Sequence, residues 1–209
     1  MKSFREVERQ FVILNTPENV ILSGAKNEAN SLLCYGYVDR TAGLTFQSVA
    51  TALYVDGDYS VVDTALAVSL KIRAGSVDKD KIIPINNKAL FKQYAYIVDN
   101  IDEFYYTDPE VEKCRAIKEF DQFRHADYPD DIQVMFFKEG VRPEGIWVRT
   151  SKLIGCDNGT FVLEGKMLNA PHADYGVTYG DTIIATQVTA FLRCFGNVLS
   201  MVYDRCGVE

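Results

Sequence analysis

Apolar residues fall into two kinds of run along this chain. Up to residue 70 they are dense and strand-like. Phe11-Val12-Ile13-Leu14 ends at Thr16-Pro17, and Ser31–Val38 places Leu33, Tyr35 and Tyr37 on one face. Asn19–Leu22 adds a further short extended stretch, followed by a loop over Ser23–Glu28. Leu44–Val55 and Tyr59–Leu70 are rich in Val, Thr, Tyr and Ala, types that fit a pleated, half-buried surface. Asp56-Gly57-Asp58 between them favours the positive φ of a tight turn and predicts a hairpin. Ala65–Ala67 leaves a helical second arm open.

From Asn87 the period changes. Leu90, Tyr94, Ile97, Val98 and Ile101 recur at three and four residues, as on one face of a helix. Asn86 or Asn87 supplies a cap. Asp108-Pro109-Glu110 opens a second helix: a capping carboxylate, a proline suited to the first turn and an acid that complements the dipole. Val111, Cys114, Ile117 and Phe120 form its apolar face, and it is expected to stop before Tyr128-Pro129. His125–Asp131 reads as a polar connector in which Asp127, Asp130 and Asp131 are solvated. Beyond it the pattern is extended: Ile132–Lys138, Gly145–Ile154, Thr160–Leu168 and Asp181–Val188, with Ile146 and Val148 facing opposite to Trp147 and Arg149. Asp157-Asn158-Gly159 predicts a hairpin turn. Asn169–Gly180 is irregular. Ala190–Phe195 and Val198–Tyr203 flank Gly196-Asn197 as a last hairpin, with a short helix as the alternative.

The expected class is therefore α+β. Mixed strands and two helices fill residues 1–124, and an antiparallel β-rich module fills 125–209. The break marks a change of pattern and does not require two independent folding units. At 209 residues with 47% hydrophobic and 24% charged positions, the chain can bury a sizeable core.

Charge narrows the partners. The net charge is −7, and acids and bases are mixed along the whole length, without an acidic tail or a basic stripe. Nucleic acid is thereby disfavoured, because phosphate neutralisation needs clustered cations. A basic protein partner is favoured. Charges at Lys2, Arg5, Glu6, Glu8 and Arg9 interrupt any signal-peptide core, and no apolar stretch reaches the roughly 20 residues of a membrane span. Cys34, Cys114, Cys156, Cys194 and Cys206 are odd in number, scattered and without a CxxC pair. That pattern points to reduced thiols in a cytoplasm.

One stretch carries a resemblance. Gly145-Ile146-Trp147-Val148-Arg149, a hairpin, Leu163-Glu164-Gly165-Lys166-Met167-Leu168-Asn169-Ala170-Pro171, Gly176 and Gly180-Asp181 follow in order. This order, within about residues 132–188, resembles the small YegJ-like domain of uncharacterised bacterial proteins. Related domains occur in proteins proposed to be immunity proteins of toxin systems. The resemblance implies a small β-rich module of bacterial or phage-like origin and brings no catalytic residues with it. Turn chemistry explains the same residues: Gly165 permits a bulge or close approach, and Asn169-Ala170-Pro171 and Gly180-Asp181 suit turns.

Candidate chemistry is sparse. His125 and His172 are the two histidines, and no spacing matches a metal pattern. Phosphate-binding loops and nucleophile elbows are absent. A Cys156–His172 pair, with Asp174 and Arg149 nearby, is the one enzymatic constellation to weigh, against the simpler reading of a small buried thiol and a solvated histidine. No catalytic residue, metal or cofactor is assigned. Tyr94, Tyr96, Phe104, Tyr105 and Tyr106 cluster along and after the first helix, where most would line a core. The favoured function is a non-catalytic protein-binding protein, in its sharpest form an immunity-type inhibitor of a bacterial toxin. Its expected contact residues are Trp147, Arg149, Asn169, His172, Asp174, Tyr175, Tyr179 and Asp181, with Tyr175 and Tyr179 expected to be exposed. The alternatives are a structural or assembly subunit, or an enzyme with an unrecognised Cys/His/Asp site.

Overall fold

The computed structural model describes residues 3–22, 29–64, 66, 68–157, 160–192 and 196–202, of which 22, 157, 188–192 and 196–202 are described by backbone alone. The chain divides into two compact units, Met1–Tyr106 with Ala126–Tyr128, and Thr107–His125 with Pro129–Glu209. Helices and antiparallel sheets are present in both, so the fold is α+β.

In the first unit the strands are β1 (Gln10–Leu14), β2 (Ser31–Asp39), β3 (Gly43–Val55), β4 (Asp58–Asp63), β5 (Lys71–Arg73) and β6 (Ile82–Ile85). The sheet runs β4-β3-β2-β1-β6, and β5 continues the β4 edge by pairing with β3. Both faces of its centre are covered, which is why the strand sequences are continuous apolar runs rather than alternations. Val12, Leu14, Leu32, Cys34 and Phe46 pack on one side. Phe11, Ile13, Leu33, Tyr35 and Tyr37 pack on the other. The β3–β4 turn has Asp56 at φ +51 and Gly57 at φ +95, the two positive angles that a two-residue hairpin needs. Its second arm stops at Asp63, and Ala65 and Ala67 lie outside the described residues.

Two helices cover the Phe11 face. They are α2 (Lys88–Gln93) and α3 (Ala95–Phe104), separated at Tyr94, which caps the first and opens the second. Asn87 Oδ1 accepts the Ala89 N–H, as the sequence implied. Leu90, Tyr94, Val98 and Ile101 are the buried positions of this pair. Phe11 anchors the contact: its ring lies 5.0 Å from Phe91 and 5.8 Å from Tyr94. The expected strand over Asn19–Leu22 is instead part of α1 (Pro17–Leu22). Pro17 at its first position overrides the β-leaning Val-Ile pair, since its fixed φ suits a helix start.

In the second unit, β7 (Asp131–Phe136), β8 (Glu144–Asp157), β9 (Thr160–Met167), β10 (Thr182–Leu192) and β11 (Gly196–Val202) form a sheet in the order β11-β10-β9-β8-β7. The sheet curls until its edge strands β11 and β7 approach each other. Asp157 pairs with Thr160, while Asn158 and Gly159, on which the hairpin prediction fell, lie outside the described residues. Leu192 pairs with Gly196, so Gly196 and Asn197 begin β11 instead of forming a turn. Residues 193–195 lie outside the described residues.

Helix α4 (Pro109–Ala116) belongs with this sheet. Asp108 caps it, accepting the Glu110 N–H at 2.8 Å. It ends at Ala116, well before Tyr128, and the chain continues as a 3-10 turn over Lys118–Phe123. Cys114, Ile117 and Phe120 share one core with Ile132, Val134, Ile146, Val148, Leu163 and Ile183. The sequence break at 124/125 therefore falls inside this unit, and the segment after it is not a solvated linker. Asp130 and Asp131 are buried, whereas Asp127 lies in the first unit, where its carbonyl accepts the Leu44 N–H at 2.8 Å.

Candidate functional site

The first unit gathers a polar cluster on the helix-covered face of its sheet, beyond the last turn of α3. Residues directly opposite each other in an antiparallel pair share a face. Tyr35 opposes Gln47 and Tyr37 opposes Thr45 across β2–β3. Gln47 opposes Lys71 and Thr45 opposes Arg73 across β3–β5. Lys71 and Arg73, two apart on β5, thus project beside Tyr35 and Tyr37.

The end of α3 closes over them. Lys71 Nζ donates to Tyr105 Oη at 2.8 Å and lies 5.8 Å from the Phe104 ring centre. The Tyr105 and Tyr37 rings stand 4.4 Å apart, inclined by 36°. Arg73 reaches Asp39 at 3.3 Å and also bonds Thr45. Tyr35 Oη donates to Asp102 at 3.5 Å. Tyr37 is almost wholly buried, and its hydroxyl has no hydrogen-bond partner among the described residues. Burial first, then the adjacent Tyr105 hydroxyl, push the Tyr37 phenol well up. Burial alone would also raise Tyr105; the bonded Lys71 ammonium, with the neighbouring Tyr37 hydroxyl, outweighs it and brings that phenol below its ordinary value. An ammonium beside a phenol oxygen favours the anion, which is the arrangement that acid–base and nucleophilic tyrosines require.

The sequence drew attention to Tyr105 only as one of five aromatics. Lys71 and Arg73 carried a weak signal, since alternation in Lys-Ile-Arg places both cations on one side of a strand.

The contact residues expected from sequence lie in the second unit, where most of their polar atoms already serve the fold. Asn169 Oδ1 accepts the Trp147 N–H at 2.8 Å. Arg149 forms a two-pronged ion pair with Asp131 at 2.7 and 2.9 Å. Asp174 Oδ1 accepts from Gly176 N and Asp181 Oδ2 from Thr178 N, each bracing a turn. Tyr175 is not exposed: it retains 7% of its surface. Its ring packs edge-on against Phe136, and its hydroxyl donates to the Arg142 carbonyl at 2.9 Å. A polar, glycine-rich neighbourhood disguised a residue whose apolar body fills the core and whose tip satisfies backbone. Tyr179 is 67% exposed, His172 is exposed and Trp147 is half-buried against His125, 5.2 Å away.

Cys156 and His172 are not brought together. The His172 N–H is bonded to Glu144 at the start of β8, and Cys156 lies near that strand's end. Twelve extended residues separate the ends by roughly 30–40 Å. Among the described residues no group of His, Cys, Asp and Glu is placed to hold a metal ion, and no helix is long and apolar enough to cross a membrane.

No family model matches the chain, and neither a curated protein nor a solved structure matches it. The resemblance of residues 132–188 to the YegJ-like domain stands on the motif alone.

Proposed function

We propose that this chain is a non-catalytic protein-binding protein whose partner is basic. One observation carries the reading: Tyr96, Phe104 and Tyr106 leave 79, 80 and 70% of their surface exposed. Tyr96, Asp99, Asn100, Glu103 and Phe104 follow the i, i+3, i+4, i+7, i+8 spacing of one helical stripe, opposite the buried Val98 and Ile101. Large aromatics flanking acids suit a partner bearing Lys or Arg, which gains both charge pairing and contact with ring faces. The net charge of −7 favours the same encounter. The motif in residues 132–188 supports the sharper form, an immunity-type inhibitor of a bacterial toxin. In that form the expected contacts Tyr179, His172 and Trp147 belong to the second unit by itself.

The test compares tagged wild type with a Y96A/F104A/Y106A variant in affinity capture from native-host lysate. A stoichiometric basic partner, held by wild type, released by salt and missing from the variant, is expected. Equal capture by both proteins would overturn the assignment to α3.

A further inference from the structure

The geometry points to Tyr105 as a nucleophilic phenol, held between Lys71 and Tyr37 to accept a phosphoryl-type electrophile. The inference shares only Phe104 with the proposed protein contact on α3 and does not rest on that contact.

Three features carry it. First, the Tyr105 oxygen is engaged by the Lys71 ammonium at 2.8 Å, so charge developing on that oxygen meets a fixed cation. Second, the Tyr37 hydroxyl is buried without a hydrogen-bond partner while its ring lies 4.4 Å from that of Tyr105. A buried hydroxyl left unmade is destabilising, and an anionic oxygen on the adjacent Tyr105 ring is an acceptor that could satisfy it. Third, Lys71 and Arg73 share the face of β5 beside the phenol; Asp39 offsets the Arg73 charge, so Lys71 is the cation that an anionic electrophile meets. Phe104, exposed and 5.0 Å from the Tyr105 ring, offers a flat apolar wall for the body of the ligand. The charged and titratable groups acting on Tyr105 are Lys71, Tyr37 and Asp39; Arg73 is paired with Asp39, and Tyr35 is bonded to Asp102. Depression of the Tyr105 phenol agrees with this geometry.

The step is a substitution at phosphorus. The phenol proton leaves to solvent, Lys71 stays protonated, and Tyr105 Oη forms the new O–P bond. The bond to the leaving group breaks, and the leaving group departs with its electron pair.

Diisopropyl fluorophosphate is a direct probe, because fluoride is its leaving group and the adduct is stable to peptide mapping. The full chain is treated at neutral pH and adducts are timed by mass spectrometry at Tyr96, Tyr105 and Tyr106. Exposure alone ranks Tyr96 and Tyr106 ahead of the half-buried Tyr105. The inference reverses that order, with Tyr105 labelled severalfold faster than either. K71M should remove the advantage. Y37F, which deletes a hydroxyl without a partner and preserves the ring, should slow Tyr105 without loss of fold. Ultraviolet difference titration gives a second readout: one phenol ionises before the rest in wild type, and this early step is missing in Y105F. Labelling that follows exposure, or a K71M variant that labels Tyr105 as fast as wild type, would overturn the inference.

Discussion

The two units solve the same problem of holding strands together with different chemistry. The first buries continuous apolar runs on both faces of its sheet, and its Arg73–Asp39 pair sits where the arginine side chain is 42% exposed. The second places charge in the interior. Arg115 and Asp130, both almost fully buried, face each other through two bonds of 2.9 Å. Arg124, also buried, donates to the Cys114, Arg115, Ile117 and Pro129 carbonyls, taking up the orphan acceptors at the end of α4. The Thr150 N–H and hydroxyl both bond the Asp130 carbonyl. The difference follows from element length. Helix α4 has eight residues and shows few apolar positions, so its attachment to the sheet rests on directional groups as well as on area. The first unit has enough two-sided strand to rely on packing.

The largest effect should therefore come from splitting the Arg115–Asp130 pair. D130A leaves a buried guanidinium uncompensated, and loss of one partner from such a pair costs about 3–5 kcal/mol. Replacing both, as R115M/D130L, should recover most of that loss, because two apolar groups remove the desolvation penalty together. Urea unfolding followed by Trp147 fluorescence reads this unit directly, since the chain has one tryptophan. A D130A midpoint equal to wild type would mean that the pair contributes no net stability.

In the first unit the corresponding weak point is close packing. A Cβ on Gly36 would collide with the Val7 carbonyl oxygen, which is backbone and cannot swing aside. G36A should destabilise by about 1–3 kcal/mol through overpacking. Far-UV circular dichroism of thermal unfolding checks it; an unchanged transition would show that the backbone around Gly36 gives way more easily than a packed core should.

The same contrast explains what could be read in the sequence. Local rules worked where chemistry is local. Asp56-Gly57 made its hairpin, Asn87 and Asp108 capped their helices, and the alternation of Ile146 and Val148 against Trp147 and Arg149 set the faces of β8. The short elements escaped. Strand β6, on which the sequence reading was silent, contains Pro84, and its position at the sheet edge, opposite Val12, makes the missing N–H harmless. Strand β5 has three residues, too few for a pattern. The buried charges were illegible because adjacent acids look solvated. The partners of Asp130 and Asp131 stand 15 and 18 residues away on other elements. Lys71 and Tyr105 are 34 apart and meet only because β5 and the end of α3 converge.

A milder break sharpens the point about burial. The Arg149–Asp131 pair has the same two-pronged geometry as Arg115–Asp130, yet a quarter of the arginine side chain is exposed. R149M should cost about 1 kcal/mol or less, as partly solvated pairs usually do. If R149M and D130A moved the fluorescence transition equally, burial would not be what separates the two pairs.

The smallest effect lies at the loop after β9, where a half-buried carboxylate supplements the packing of Tyr175. Glu144 accepts the His172 N–H at 2.7 Å and the Ala173 N–H at 2.8 Å. The His172 bond chiefly, with the Ala173 bond beside it, holds the carboxyl below its ordinary value. A depressed carboxylate stabilises the folded loop above the unfolded pKa, and the contribution is lost as pH falls through the folded one. The His172 and Ala173 amides should thus be protected from hydrogen exchange at neutral pH. They should lose that protection only as pH falls below the ordinary carboxylate range, after correction for the intrinsic rate. E144Q, neutral at every pH, should show weaker protection that does not depend on pH in this range. The Tyr175 hydroxyl, bonded to the Arg142 carbonyl, keeps the rest of the loop docked in either case, so the change should stay confined to two amides and leave the unfolding midpoint unmoved.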